Sequence, residues 1–180
     1  MGFETNENNR IYANVSCGRF VNKRSNINAT TYTGKIMAIS EKEDEYEGNK
    51  IQKIQLTMSD GVETAIITFT KNSWYGCGFF SRITVADISQ PVTLGVLGSD
   101  QNEKMSFCWI RQNDKIIAKN NDFVQPEKVV VGKSMVLNWE FYDEEVAKII
   151  NDINSAIIAD NHLIDGGDAV DDLTDETIPF

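Results

Sequence analysis

The chain is poor in the residues that most often carry metal or catalytic chemistry. Its 180 residues include one histidine, His162, and three cysteines, Cys17, Cys77 and Cys108, which lie far apart and form no Cys-x-x-Cys pair. Structural zinc sites need about four such ligands at short spacings, so neither a metal site nor a cofactor is expected. Dispersed thiols in odd number are typical of a reducing compartment, which predicts a cytoplasmic protein.

Long hydrophobic runs are also missing. No segment approaches the ~18 consecutive apolar residues of a membrane-spanning helix, although apolar residues make up 41% of the chain. Residues 1–7 have neither the basic region nor the apolar stretch of a signal peptide. We therefore expect one domain with appended segments and no membrane association.

Motifs typical of enzymes are lacking as well. There is no Ser-His-Asp set, because the one histidine lies close to the end of the sequence, and there is no glycine-rich loop that could cradle a phosphate. Five acids lie within residues 41–47, but such a run is more typical of a solvated hairpin loop than of a metal cluster. The sequence therefore predicts that the protein is not an enzyme.

Charge is distributed unevenly along the chain. The net charge is −10, yet residues 140–180 hold twelve acids against Lys148, a net of −11, so residues 1–139 carry +1. Residues 41–47 contribute −4, which leaves +5 on the remainder of that body. A weakly basic binding face beside an acidic tail fits this asymmetry, and so does an ordinary surface made uneven by one acidic segment.

Hydrophobic alternation predicts a body built mainly of β-strands. Residues 11–21 read as one strand, with Tyr12 and Phe20 opposite an apolar face. Further strands are predicted at residues 31–40, 51–59 and 64–71, and then, after a short connection, at 91–97 and 104–110. The connection begins at Ser73, a helix-capping residue type. It carries four aromatic residues that we interpret as a plug closing one end of the body: Trp74, Tyr75, Phe79 and Phe80.

One amphipathic helix is predicted near the C-terminus. Apolar residues at helical spacing form a single stripe within residues 142–160, with acids at the start, where the helix dipole favours them. We expect the segment 139–160 to pack on the body, with Trp139 at the junction; a dimerisation helix is the alternative. Residues 161–180, which include Gly166-Gly167, are predicted to be a flexible acidic tail.

The tail ends in a pattern of acids followed by an apolar group. The residues that form it are Asp171, Asp172, Asp175, Glu176, Ile178, Pro179 and Phe180. Its aromatic ring can fill a pocket, a terminal carboxylate can meet an Arg or Lys, and the acids can steer toward a basic surface. This pattern predicts a protein-interaction segment.

The same tail resembles the ends of bacterial and bacteriophage single-stranded DNA-binding proteins, which finish in an acidic run and Ile-Pro-Phe or Phe. Residues 1–160 show no comparable match to the bacterial proteins, which favours a bacteriophage-type member acting in the host cytoplasm. The resemblance implies a body that coats single strands during replication, recombination and repair. It also implies a tail that recruits replication and recombination proteins, and it leaves a homo-oligomer open.

The order of three strands, a short connection and two strands matches the OB-fold, a five-stranded Greek-key barrel. A β-sandwich also fits the pattern, and the tail favours the OB-fold. The sequence therefore predicts an OB-fold domain over residues 1–138 with extra strands. Two alternatives for function stay open: a β-domain protein-interaction adaptor, and a phage structural protein that does not bind DNA.

Binding single strands without sequence preference needs cations along the phosphates and aromatic faces for the bases. The residues predicted to bind DNA are Tyr12, Arg19, Phe20, Lys23, Arg24, Tyr32, Lys35, Lys53, Lys71, Lys104, Phe107, Trp109 and Arg111. In a strand, Phe107, Trp109 and Arg111 point the same way. They form a stacking strip if that face is solvated, and they belong to the core if it is buried.

Overall fold

The computed structural model of the chain describes residues 10–165. Within this range the elements, in chain order, are β1 (Arg10–Ser16), β2 (Arg19–Asn22), β3 (Ile27–Ala29), β4 (Thr31–Tyr46), β5 (Asn49–Ser59), β6 (Thr64–Thr70), α1 (Trp74–Ile83), β7 (Val92–Gly98), β8 (Ser106–Gln112), β9 (Lys115–Ile116), β10 (Glu127–Val131), β11 (Ser134–Asn138) and α2 (Glu140–Asp165). The predicted mainly β body and C-terminal helix are confirmed. Of the predicted tail at residues 161–180, residues 161–165 are helical and residues 166–180 lie outside the described range.

Nine of the strands form one curled sheet, in the order β3-β2-β1-β6-β5-β4-β7-β8-β9. The long strand β4 joins the two parts of the sheet, because its first residues, from Thr31 to Gly34, pair with β7 and the rest pair with β5. A register shift between Ile36 and Ala38 marks the bend, as β-bulges commonly do. The result is a half-barrel with α1 inserted between β6 and β7.

The inner face of the half-barrel holds the core. Burial alternates strictly along β6 and, from Lys53 onward, along β5, as the sequence pattern predicts. The start of α1 supplies aromatic rings that pack against Phe69, and of the predicted plug residues Tyr75, Phe79 and Phe80 are buried. Trp74 does not belong to the plug, since 43% of its surface is exposed.

The N-terminal segment is a hairpin rather than the single strand predicted for residues 11–21. Cys17 and Gly18 adopt positive φ angles of 49° and 72° and form a two-residue turn that pairs Ser16 with Arg19. Because the turn breaks the alternation of faces, Phe20 points inward and is 2% exposed. The prediction that Phe20 stacks on DNA bases is therefore wrong, because Phe20 is a core residue.

Helix α2 packs along β4 and closes the half-barrel on that side. Its apolar stripe, from Tyr142 to Ile157, is buried. Asn154 completes the edge of β4, because its side-chain oxygen accepts from Ile39 N (3.1 Å) and its amide donates to Ile39 O (2.8 Å). The helix continues to Asp165, beyond the predicted end at residue 160. Neither described helix is long and apolar enough to cross a membrane.

Candidate nucleic-acid interface

The outer surface of four adjacent strands forms a polar face. Their outward side chains alternate with the buried ones and are Arg10, Tyr12, Asn14 and Ser16 from β1, Arg19 and Val21 from β2, Lys53, Gln55, Thr57 and Ser59 from β5, and Thr64, Ile66, Thr68 and Thr70 from β6. This set contains three cations and no carboxylate. In a chain of net charge −10, a face whose own side chains include cations and no acid suits an anionic partner, although Asp44 of β4 pairs with Lys53 at its border.

Tyr12 lies near the middle of the polar face. It is paired with Ile66 across the parallel β1–β6 ladder, and 51% of its surface is exposed. The strand places its ring outward because Ala13, the next residue, is buried in the core. An exposed ring supported by a sheet is the arrangement that stacks on a nucleic-acid base.

A cleft of about 390 Å³ opens at one end of the polar face. It lies between the ends of β1 and β6, the start of α1, the β7–β8 loop and the residues before α2. The side chains that line it include Ser16, Thr70, Asn72, Ser73, Trp74, Lys104, Met105, Ser106 and Trp139. Because Ser16 and Thr70 also belong to the polar face, the face continues directly into the cleft.

Two local interactions set the shape of the cleft. Ser73 caps α1: its hydroxyl accepts from Gly76 N (3.0 Å) and donates to Thr70 O (2.7 Å), which holds Trp74 in the first helical turn. On the opposite wall, Gly18 N donates to the Ser106 hydroxyl (2.9 Å). This bond ties the β1–β2 turn to the start of β8.

The chemistry inside the cleft suits a nucleotide. The exposed Trp74 and the half-buried Trp139 offer ring surface, and Lys104 offers an exposed cation. The first turn of α1 contains no acid, so the partial positive charge of the helix N-terminus is not neutralised there. Asn72 Oδ1 is buried and has no hydrogen-bond partner within residues 10–165. Asn72 is one of the residues that line the cleft.

The structure divides the predicted cations into exposed and paired ones. Arg19, Lys23, Arg24, Lys104 and Arg111 are exposed. Lys35 is paired with Asp160 (2.6 Å) on α2, and it lies outside the polar face. Its ammonium joins the helix to β4, so the structure gives it a packing role that its sequence context does not indicate.

Lys71 is a structural residue and not a surface cation. It is 6% exposed and contacts both Glu41 (3.3 Å) and Asp143 (3.2 Å). The prediction that it meets DNA phosphates is wrong, because a buried ammonium held by two carboxylates is not accessible to a further anion.

Lys53 lies at the border of the polar face. Its ammonium is 3.0 Å from Asp44, and its hydrogen bond to this carboxylate is the main cause that lowers the pKa of Asp44. Both side chains are partly exposed, so the pair is weak. A phosphate can therefore compete with Asp44 for Lys53.

The strip on β8 is solvated, which resolves the choice left open by the sequence. Phe107 and Arg111 are exposed and Trp109 is half-buried, whereas Cys108 and Ile110 between them are buried. The Trp109 ring lies on Gly95, where any Cβ would collide with it, and the Arg111 guanidinium stands 5.9 Å from its centroid. The Trp109 ring is thus partly covered by Gly95 of the adjacent strand β7 and by Arg111 of its own strand.

Tyr32 is less available than predicted. Its side chain is half-buried against the core, and its hydroxyl donates to Glu63 O at 3.5 Å. Burial is the main cause that raises its pKa. The ring therefore belongs to the packing between β4 and the β5–β6 turn.

The three cysteines differ sharply in access. Burial raises the pKa of Cys77 to about 11 and that of Cys108 to about 12, so both thiols are protonated and shielded at neutral pH. Cys17 is exposed in the β1–β2 turn and directly follows Ser16, which lines the cleft. The exposed thiol is thus a natural reporter beside the candidate interface.

Sequence reasoning locates Tyr12 and Arg19 but misses the cleft. For Trp74 it favours the plug over base stacking, it places Trp139 at a packing junction, and it does not single out Asn72. The helix cap at Ser73 could have indicated that Trp74 is exposed, because the first residue of a capped helix precedes the buried stripe. Within residues 10–165, no three His, Cys, Asp or Glu side chains come together as a metal site.

Comparisons of the chain with protein-family models, curated proteins and solved structures found no match. Its function is therefore inferred from its own residues and geometry.

Proposed function

We propose that this protein binds single-stranded DNA without sequence preference, along the polar face and into the cleft. The observation that carries the proposal is the polar face, which joins Arg10, Arg19 and the exposed Tyr12 ring to a cleft holding Trp74 and Lys104, with Lys53 paired to Asp44 at its border. Cations that follow a backbone and rings that stack on bases are the two requirements for such binding. Duplex DNA stacks its bases internally, so it can use the cations but not the rings.

The strand order supports an OB-fold for this domain. Strands β4, β5, β6, β7 and β8 are arranged as β6-β5-β4-β7-β8, with α1 between β6 and β7. Taken as the five strands of an OB-fold, β5 and β6 are its second and third strands. Nucleic-acid-binding OB-folds use the face of these two strands and the loop between the last two. The polar face and the β7–β8 loop residue Lys104 occupy these positions, and β1–β3 widen the face.

If the polar face attracts DNA through its cations, a change of charge at Arg19 should weaken binding. Changing Arg19 to Glu puts a carboxylate among the exposed cations without touching the core, so the affinity for oligo(dT) should fall. The slope of log affinity against log salt should become shallower by at least about 0.7, the contribution of one phosphate contact on a single strand. Fluorescence anisotropy of a labelled oligonucleotide over a salt series measures both.

The matched control is Lys115→Glu, which makes the same charge change at an exposed position on β9. If both variants lose the same affinity and slope, the effect is one of net charge and not of the polar face. If neither the parent chain nor the variants bind oligo(dT) at low salt, the DNA-binding proposal fails. An adaptor or a phage structural protein then becomes the better interpretation.

The proposed role includes the C-terminal segment. It holds four acids, Asp171, Asp172, Asp175 and Glu176, followed by Ile178-Pro179-Phe180. These residues suit the recruitment of replication, recombination and repair proteins that have a basic, apolar pocket, in the cytoplasm of a phage host.

Phe180→Ala should abolish pull-down of such proteins and leave oligo(dT) binding intact. Equal recovery by parent and variant would remove Phe180 from the recognition element.

A further inference from the structure

The hairpin of β10 and β11 has no partner in the rest of the described chain. It is a separate two-stranded sheet, so the outer edge of each strand is unpaired within residues 10–165. Its apolar residues are unusually open to solvent: Val130 is 71% exposed, Val131 is 62% and Met135 is 68%. An isolated two-stranded hairpin is marginally stable in water, and three or more strands with a covered apolar face are needed.

The edge of β10 lacks the devices that normally keep edges apart. Proteins protect an edge strand with charges, prolines or bulges in its middle. Here Pro126 lies only before the strand, the charges Glu127 and Lys128 occupy its start, and its last three residues are Val129-Val130-Val131. Such an edge is a template for another strand.

We propose that β10 pairs with β10 of a second copy of this chain, in antiparallel and two-fold symmetric fashion, to form a four-stranded sheet. With the strands in full overlap, Val129 faces Val129 of the second copy, and Lys128 lies opposite Val130. An isologous contact of this kind closes at a dimer. It shields the valines on both copies and completes the backbone hydrogen bonds of both edges.

Charge complementarity favours this occupant over others. Glu127 begins β10 and Lys133 lies at the tip of the hairpin, just beyond the other end of the strand. Neither forms an ion pair within residues 10–165. The two-fold arrangement brings Glu127 of each copy beside the tip of the other, within the reach of a long side chain across diagonal strand positions. Two Glu127–Lys133 pairs then flank the valines.

Sedimentation velocity of the full chain without DNA, across micromolar concentrations at low salt, tests the proposal. We expect a reversible monomer–dimer equilibrium with no larger species. Val130→Lys places a cation opposite Lys128 of the second copy and should give a monomer. The same change at Val85, which is 54% exposed just after α1, should leave the dimer unaffected. Circular dichroism checks that both variants are folded.

A charge swap identifies the register. Glu127→Lys and Lys133→Glu should each weaken dimerisation by about tenfold, since each change turns two exposed ion pairs into repulsions. The double variant should recover most of the parent affinity, because the pairs are restored with reversed sign. A parent chain that is monomeric throughout, or one that grows into species beyond the dimer, overturns the proposal. So does a double variant as weak as the two single changes combined.

Discussion

Replacing Gly18 by alanine is expected to lower the free energy of unfolding by about 2–5 kcal/mol. Gly18 has a φ angle of 72°, a conformation that costs a residue with a Cβ about 1–2 kcal/mol. A Cβ there would also lie 2.5 Å from the Gly98 Cα, where only backbone can give way. Forcing the β1–β2 turn away from the end of β7 costs about 1–3 kcal/mol more, as overpacking does. Urea denaturation followed by circular dichroism measures the loss.

Gly48→Ala is the matched control, because Gly48 has a similar φ of 78° but no atom within 4 Å of the position that a Cβ would take. It should lose only the conformational part, about 1–2 kcal/mol. Equal losses at the two positions would mean that the close approach of the β1–β2 turn to the end of β7 adds nothing to the conformational cost.

Removing the two exposed rings together should nearly abolish DNA binding. Base stacking contributes roughly 1–3 kcal/mol for each ring, so the Tyr12→Ala/Trp74→Ala double variant should lose roughly 2–6 kcal/mol, which is about thirtyfold or more in affinity for oligo(dT). The two rings lie on different elements and do not contact each other, so their effects should add. Titration of labelled oligo(dT) with parent and variants measures the loss.

Tyr46→Ala provides the comparison for the two rings. Tyr46 is 64% exposed, more than either of them, but it lies at the acidic tip of the β4–β5 hairpin, between Glu45 and Glu47. Its removal should leave the affinity for oligo(dT) within about twofold, because the neighbouring carboxylates repel the phosphates of a strand. A loss equal to that of Tyr12→Ala would place the strand along the hairpin instead of the polar face.

Much of the fold could be predicted because its strands are half-buried. In β5 and β6 the inward residues are apolar and most outward residues are polar, so the alternation alone predicts the strands and their faces. The β1–β2 turn could not be predicted in this way. Ser16-Cys17-Gly18 continues the alternation in sequence, and a two-residue turn leaves no gap in the pattern while it reverses the phase of every residue after it, Phe20 included.

The site was predictable only where it depends on one strand. Tyr12 is exposed because its neighbours in β1 are packed, a relation that is visible in the sequence. The cleft joins Ser16, Trp74, Lys104 and Trp139, which are brought together over long separations in the chain by the curl of the sheet and the packing of the helices. Ion pairs such as Lys71 with Asp143 depend on the same long-range packing, so a list of lysines cannot distinguish a structural ammonium from an accessible one.

Protection of Cys17 is the most direct test of the claim that a single strand binds along the polar face and into the cleft. Cys17 is the one exposed cysteine of the three and directly follows Ser16, which lines the cleft, so alkylation by a maleimide reports on this position without added labels. Saturating oligo(dT) should slow the reaction of Cys17 several-fold, high salt should restore its rate, and duplex of equal length should protect less. An unchanged rate when oligo(dT) is bound would contradict the claim, because the strand would then lie elsewhere.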